Sequence, residues 1–295
     1  MSNLRDVRLR MKAIRQTLQV TRAMNLISTA KLRKGRRVLE DTEPYFTRIQ
    51  KSMYDIFSGT KQVESQFFRH ADRNRAYHTA VIAVTSDKGL AGGYNANICR
   101  RVNELCAKVK NPLLILTGSI GYRYFVHSPY LILENFSFRS RMPVVEDARE
   151  ITDYIVSQYL WGVFDEVHII YTHMYSTIKL LPTERQILPL NKEKMQEELA
   201  AREGREREEL HFEFLPSEKV LFDALVPLYI KGIVYGSLVE SYVSEQSARM
   251  TAMDEASKSA EEMLGTLQIN YNRARQANIT QEMTEIIGGS AALSD

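Results

Sequence analysis

The longest helical stretch of this sequence lies at its C-terminal end, and it sets the strongest limit on the fold. From about Ser217 to Gly288 the composition favours helix, and no proline follows Pro227. Roughly 70 residues at 1.5 Å per residue make a helix about 105 Å long. No compact domain of this size has a core of that length. We therefore predict that the helix leaves the globular part of the protein and packs against another long helix.

The N-terminal segment predicts the second long helix. Its apolar residues recur at spacings of three and four, the heptad pattern of a coiled coil: Leu4, Val7, Met11, Ile14 and Leu18. The pattern then shifts to Val20, Met24 and Ile27. Helical character continues to Gly59, with a bend expected at Pro44.

The two terminal helices are predicted to pair as an antiparallel coiled coil. A row of small residues on the C-terminal helix would let another helix approach closely, because only methyl groups separate the backbones: Ala248, Ala252, Ala256 and Ala260. Leu18 belongs to the facing seam of the N-terminal helix. Since the N-terminal helix is shorter, one end of the C-terminal helix should extend past it. Polar residues such as Asn270 and Gln281 occupy that far end, where a self-sufficient coiled coil would have leucine.

Charge is distributed unevenly between the two ends of the chain. Residues 1–40 carry eleven basic and two acidic side chains, a net +9, whereas residues 240–295 carry four basic and nine acidic ones, a net −5. A basic block of this kind often indicates a nucleic acid or membrane partner. The two ends are complementary, however, so we interpret the charge as one terminal helix packing on the other, with the remaining positive charge meeting an acidic protein surface.

The middle of the chain has the alternation of strand-like and helix-like segments that is typical of an α/β domain. Short β-branched and apolar runs, HTAVIAVTS, PLLILTG, YLILENF and EVHIIYTHMY, alternate with helix-length segments. This alternation predicts a parallel, Rossmann-like sheet covered by helices. TIKLLPTERQILPL is interpreted as an extended segment or a hairpin extension, ELHFEFLPS as a further strand, and NKEKMQEELAAREGREREE as a solvated helix or mobile excursion. The predicted domains are a coiled-coil helix over 1–58, an α/β domain over 75–216 and a coiled-coil helix over 217–295.

Several classes of protein are disfavoured by missing signals. The longest apolar runs are strand-sized, and the first residues lack the apolar core of a signal peptide, so we expect no membrane insertion. Cys99 and Cys106 have no metal-ligand spacing and are expected to be buried free thiols. SDKGLAGG follows a strand but matches neither GxGxxG nor GxxxxGK[ST], and the histidines are scattered. We therefore expect no cofactor, no metal and no catalysis by this chain alone.

Four segments closely resemble the γ subunit of F-type ATP synthases, in the family's order and across nearly the whole chain. They are MKAIRQTLQVTRAMNLISTAKLRK (11–34), TSDKGLAGGYNAN (85–97), ARMTAMDEA (248–256) and NRARQANITQEMTEIIGGSAAL (272–293). The last motif is highly specific. The chain is similar to bacterial members, because the cysteine-bearing regulatory insertion of plastid relatives has no counterpart here.

The resemblance implies a non-catalytic rotor subunit. It implies that the coiled coil lies inside a ring of α and β subunits, while the α/β domain lies beside the ε subunit and the membrane c-ring, at the cytoplasmic face of the cell membrane. Rotation would couple ion flow to ATP synthesis or hydrolysis in the β subunits. The residues that the resemblance implies at the β-subunit interface are Met24, Lys88, Arg249, Arg275, Gln276, Thr280 and Glu282.

Ordinary structural roles compete with these assignments. Met24 is equally well explained by coil packing, since methionine fills gaps in cores. Arg249 could form an ion pair with Glu245 one turn earlier. Two other classes of function also stay open: an α/β enzyme with coiled-coil arms, which would bind a nucleotide or sugar phosphate, and a basic coiled coil that binds nucleic acid with a steep salt dependence.

Overall fold

A computed structural model describes residues 4–59, 65–68, 76–138, 141–177, 179–191 and 218–292 of the chain. The helices are α1 (Leu4–Gly59), α2 (Tyr94–Cys106), α3 (Ser119–Phe125), α4 (Val145–Leu160) and α5 (Glu218–Ala292), with a 3-10 turn at Gln66–Phe68. The strands are β1 (Thr79–Val84), β2 (Pro112–Thr117), β3 (Leu131–Phe136), β4 (Glu166–Met174) and β5 (Leu180–Leu188).

The chain forms two compact units. One consists of Met1–Thr29 with Arg249–Asp295, and the other of Ala30–Ala248. The boundaries between the units fall inside α1 and α5, so each long helix contributes to both units. The domain boundaries predicted from the sequence instead lie at the ends of the two helices. Those domain boundaries stay a prediction.

The unit Ala30–Ala248 contains the predicted α/β sheet. Its strand order is β3-β2-β1-β4-β5, with the first four strands parallel and β5 antiparallel to β4. β1 is buried along its whole length, as expected for a central strand covered on both faces. The α/β class and the β4–β5 hairpin are therefore confirmed. The segment 192–217, which holds the predicted charged excursion and the predicted strand ELHFEFLPS, lies outside the described residues.

Strand β4 extends past its parallel neighbour, and α5 completes its hydrogen bonding. β1 pairs with β4 only up to Ile170, whereas β4 continues to Met174. The buried hydroxyl of Ser241 accepts a hydrogen bond from the N–H of Thr172, and that of Ser244 donates to the Thr172 carbonyl, both at 3.0 Å. Buried backbone groups without partners are costly. These two serines therefore attach the long helix to the sheet.

One part of α5 has the apolar composition of a membrane span. An 18-residue window within Lys219–Ile287 has a mean hydropathy of 1.4, so α5 is long and apolar enough to cross a membrane by length and composition alone. Half of that window is buried inside the fold. A buried core helix passes the same test of length and composition, so this is weak evidence for a membrane span.

Both cysteines are buried free thiols, as predicted. Burial raises the pKa of Cys99 and of Cys106 to about 11. Because the thiolate is the reactive form, we expect neither thiol to react with iodoacetamide in the folded chain at about pH 8, while both react once urea unfolds it. Mass spectrometry after a timed pulse measures this. Rapid labelling of the folded chain would contradict the burial.

The unit Met1–Thr29 with Arg249–Asp295 is an antiparallel helix pair. The hydroxyls of Thr21 and Ser257 are 2.8 Å apart, and the Arg8 guanidinium donates to the Tyr271 hydroxyl at 3.0 Å. Partners earlier on α1 thus lie later on α5, which is the antiparallel order. This confirms the predicted pairing of the two terminal helices.

The seam on α1 differs from the predicted one in its second half. Val20 and Ile27 are 57% and 55% exposed, so the expected shift of the seam toward them is wrong. The original heptad continues instead through Thr21 and Ser28, which are buried, and through half-buried Asn25. Thr21 and Asn25 form hydrogen bonds across the helix pair, Thr21 with the Ser257 hydroxyl at 2.8 Å and the Asn25 amide with the Met250 carbonyl at 3.1 Å. Heptad register, and not side-chain polarity, decides which residues face the partner helix.

Candidate functional site

The seam residues of α5 recur at spacings of four and three. The buried and half-buried positions are Met253, Ser257, Ala260, Leu264, Leu267, Tyr271 and Ala274. Among the residues predicted to pack in the coil, Leu18 and Ala260 are buried, with 9% and 6% exposure. Ala252 and Ala256 are half-buried beside the seam, and Ala248, in the other unit, is also half-buried.

Enlarging the buried alanine should separate the two helices. We expect Ala260→Leu to lower the free energy of unfolding by about 1 to 3 kcal/mol, the usual cost of overpacking. Ala256→Leu is the matched control, because its half-exposed side chain leaves room for the added atoms, and its effect should be smaller. Urea unfolding of the isolated chain measures both. Equal stability of the Ala260→Leu variant and the wild type would show that the helices are not closely packed there.

The seam ends where the most specific sequence motif begins. Every residue from Arg275 to Ile287 is exposed. Four predicted interface residues lie in this stretch: Arg275, Gln276, Thr280 and Glu282. Neither Arg275 nor Gln276 forms a hydrogen bond or ion pair with any residue that the structure describes. Their polar groups are therefore available to another chain.

An exposed apolar stripe crosses the same stretch and was not predicted from the sequence. Ile279, Met283 and Ile286 are 48%, 57% and 71% exposed. Their spacing of four and three places them on one face of α5, whereas Ala277 and Gln281 lie on the opposite face. This spacing is visible in the sequence and could have revealed the stripe. Contiguous exposed apolar surface of this kind marks a protein interaction site.

The other predicted interface residues of this unit are more enclosed. Arg249 is only 7% exposed, so most of its surface is already covered by its own chain. Met24 is half-buried on α1. The structure thus groups Arg275, Gln276 and their neighbours on one exposed surface and does not bring Arg249 or Met24 to it.

Lys88 lies in the unit Ala30–Ala248, in the loop between β1 and α2. Its side chain is exposed. The loop is held from within: the Ser86 hydroxyl donates to the Lys88 carbonyl at 2.8 Å, and the Ser86 N–H donates to the Asn95 side chain at 3.0 Å. The Asp87 carboxylate accepts a hydrogen bond from the N–H of Ser119 at 3.0 Å. Lys88 is therefore presented on a well-supported loop.

The crevice beside this loop is nearly filled. In doubly wound sheets, ligands bind at the carboxyl ends of the strands, where the strand order reverses. In this sheet the order reverses between β1 and β4. The crevice beside the Lys88 loop lies at the carboxyl ends of β1 and β2, where its volume is about 40 Å³ and Leu238 and Tyr242 of α5 line it. A β-carbon on Gly118, whose φ is +85°, would lie 2.4 Å from the Thr85 carbonyl oxygen. Small-molecule pockets usually measure about 300 to 1,000 Å³, so a nucleotide does not fit here.

Comparison with known proteins agrees with this arrangement. A family model described as ATP synthase matches residues 3–293. The chain is 42% identical over 294 residues to the ATP synthase gamma chain of Acetivibrio thermocellus, covering 99% of this chain and 100% of the relative. It is 37% identical over 302 residues to a gamma chain of Acetobacterium woodii described as sodium ion specific, covering 99% of each.

Solved structures share the fold. The mitochondrial ATP synthase of Euglena gracilis contains a chain with a TM-score of 0.68 and 17% identity, covering 98% of this chain and 94% of that one. A central-stalk chain of the Tetrahymena thermophila enzyme has a TM-score of 0.60 and 24% identity, covering 81% and 99%. The family match over residues 3–293 and the full-length similarity to ATP synthase gamma chains establish that the chain belongs to the family of ATP synthase gamma chains, the gamma subunits of F-type ATP synthases.

Proposed function

We propose that the exposed end of α5 is the surface through which this rotor subunit acts on the catalytic β subunits. The observation that carries the proposal is the combination of an apolar stripe with hydrogen-bonding groups: Ile279, Met283 and Ile286 beside Arg275 and Gln276. The apolar residues supply buried area against a partner. The guanidinium of Arg275 suits a carboxylate of a β-subunit loop, because its planar fork can hold both oxygens.

The function that this surface supports is coupling between rotation and nucleotide affinity. A single helix inside a ring of similar β subunits presents a different face to each of them. Each angle of the rotor then favours a different combination of open and closed catalytic sites, which is a coupling free energy between angle and affinity. A rotor with equal contacts to all β subunits could shift none of them.

We assign the α/β unit to docking at the membrane end of the complex. Its partners would be the ε subunit and the c-ring at the cytoplasmic face of the cell membrane, with this chain as a peripheral subunit. Support comes from the filled crevice, which leaves this unit without a nucleotide pocket there, and from the similar Tetrahymena chain, which is described as part of a central stalk with a c-ring.

If the α/β unit is a docking platform, the isolated chain should neither hydrolyse ATP nor bind it saturably at millimolar concentration. The physical reason is the crevice volume of about 40 Å³ beside the Lys88 loop. Calorimetric titration of the purified chain with Mg-ATP measures this. A micromolar nucleotide site would instead favour an α/β enzyme with coiled-coil arms.

Co-expression with the α and β subunits tests the proposal. We expect a stable complex that contains one copy of this chain per ring of α and β subunits and that hydrolyses ATP. The test variant is the chain truncated after Ala274, which keeps the seam with α1 but lacks the exposed surface. Compared with the full chain, it should be recovered with the ring in much smaller amounts. Equal recovery of the truncated chain would contradict the proposed surface.

A further inference from the structure

Three serines of α5 lie in a row against the end of strand β4 that extends past β1. This serine row consists of Ser241, Ser244 and Ser247, whose spacing of three places them on one side of the helix. All three are buried, with exposures of 1%, 0% and 0%. The Ser241 hydroxyl accepts a bond from the Thr172 N–H, while those of Ser244 and Ser247 donate to the carbonyls of Thr172 and Thr177, each at 3.0 Å. The row therefore binds main-chain atoms of β4 and of the bend that follows it.

Hydrogen bonds of this kind fix the position of a helix more sharply than apolar packing does. The hydrophobic effect has no direction, so an apolar face tolerates small rotations and shifts. A hydrogen bond instead weakens steeply when its angle departs from linear. If α5 turned about its axis or moved along it, the buried main-chain groups of Thr172 would lose their partners, because β1 pairs with β4 only up to Ile170. The serine row thus sets both the angle and the axial position of α5 against the sheet.

Helix α1 encloses α5 on another side at the same level. Gly35 of α1 is buried, and a β-carbon on it would lie 2.7 Å from the Val243 side chain and 3.4 Å from the Tyr242 ring. Val243 and Tyr242 both lie within the span of the serine row. The absence of a side chain at Gly35 allows the two helices to approach closely there. This part of α5 is therefore held between α1 and β4, and all three segments belong to the unit Ala30–Ala248.

We propose that the serine row is the point at which torque passes between α5 and the α/β unit. The proposal rests on the proposed function, in which the catalytic β subunits act on the exposed end of α5. Because α5 is one continuous helix from Glu218 to Ala292, a torque on that end is carried along its backbone to the serine row. The α/β unit follows the rotation of the helix to the extent that the contacts between them resist twisting. The three serines are positioning residues, which act on the reaction through the angle of the rotor.

The angular fluctuation of a complex at rest tests this role. A bead attached at Lys108→Cys, an exposed position of the α/β unit, reports the angle of that unit while the α and β subunits are held on a surface. Without ATP, the width of the angular distribution measures how easily the unit twists against the held end of α5. We expect Ser241→Ala with Ser244→Ala to widen the distribution by about twofold or more, because the buried Thr172 groups lose both partners. A width equal to that of the wild type would overturn the proposal.

Two control variants separate this role from a general loss of stability. Ser259→Ala makes the same change at an exposed position of α5 and should leave the width unchanged. Ile98→Val removes one buried carbon from the core on the α2 face of the sheet, so it should lower the melting temperature of the isolated chain and also leave the width unchanged. Equal widening in Ile98→Val and in the double serine variant would show that the serines act through stability alone, against the proposal.

A single substitution keeps the test valid if the double serine variant does not assemble. Ser247→Ala removes one of the three contacts and should widen the distribution by a smaller amount. An unchanged width in this variant would contradict the assigned role. The measurement needs an assembled complex but no ATP turnover. Failure of the proposed function would appear as wild-type turnover when the exposed end of α5 is altered, whereas failure of this inference would appear as a wild-type angular width.

Discussion

Lysine at both Ile279 and Met283 should abolish productive assembly with the α and β subunits. The two residues share one exposed face of α5, and the account places that face against β subunits. Two ammonium groups would have to be buried in an apolar contact, at a cost of several kcal/mol. We therefore expect ATP hydrolysis by the co-expressed complex to fall by at least about a hundredfold. Activity of the purified complex and the amount of this chain recovered with the ring measure the effect.

The matched control places the same substitutions on the opposite face of the helix. Ala277→Lys with Gln281→Lys keeps the spacing of four residues and the added charge, and both positions are exposed. Its effect should be much smaller. Both double variants should unfold in urea much like the wild-type isolated chain, because the positions are exposed. The one hydrogen bond lost, from the Gln281 amide to the Glu285 carboxylate, lies on the surface of α5, where the introduced lysine can pair with the same carboxylate. Equal losses of activity in the two would contradict a directional contact and indicate a general effect of charge.

Replacing Arg275 and Gln276 together by alanine should reduce ATP turnover by the complex with a smaller effect on assembly. Alanine is the best helix former, so α5 stays intact. The change removes hydrogen bonds worth about 1.5 to 3 kcal/mol each where a charge takes part, partly offset by water that enters the gap. We expect turnover to fall by about tenfold or more. Circular dichroism of the isolated chain should be unchanged, because the lost partners belong to another chain.

Arg273→Ala with Gln281→Ala provides the comparison for that experiment. It removes the same two side-chain types from exposed positions of α5, outside the proposed contact. Turnover should stay near the wild-type value. If the Arg275 and Gln276 double variant instead assembles fully and turns over ATP at the wild-type rate, these two residues have no role in coupling. The apolar stripe would then have to carry the contact alone.

Sequence reasoning predicted the architecture because most of it follows from local periodicity. The heptad from Leu4 to Leu18, the α/β alternation and the long C-terminal helix are all patterns of neighbouring residues. The predicted shift of the α1 seam was wrong, because it was based on the apolar side chains of Val20 and Ile27 and not on the heptad register. The heptad register places Thr21 and Ser257 in the seam, and their hydroxyls are satisfied there by hydrogen-bonding each other. A pairing of this kind depends on a residue 236 positions away, which local periodicity does not show.

The candidate site was predicted in part. Arg275 and Gln276 came from a motif, whereas the stripe of Ile279, Met283 and Ile286 was missed although its spacing of four and three is visible in the sequence. The pocket lined by Phe46 of α1, Arg185 of β5 and Gly236 of α5 could not be predicted, because it forms where three elements meet only in the fold. The serine bonds from α5 to β4 likewise require knowing that β1 stops short of the end of β4.

Rotation is the central claim, and a single-molecule measurement tests it most directly. The chain offers a clean labelling route, since Cys99 and Cys106 are buried and Lys108 is exposed on the α/β unit. A bead attached at Lys108→Cys would report motion of this chain in a complex held to a surface through its α and β subunits. The account predicts rotation in one direction that requires ATP and stops when ATP is removed. ATP hydrolysis by an intact, labelled complex without any rotation of the bead would contradict it.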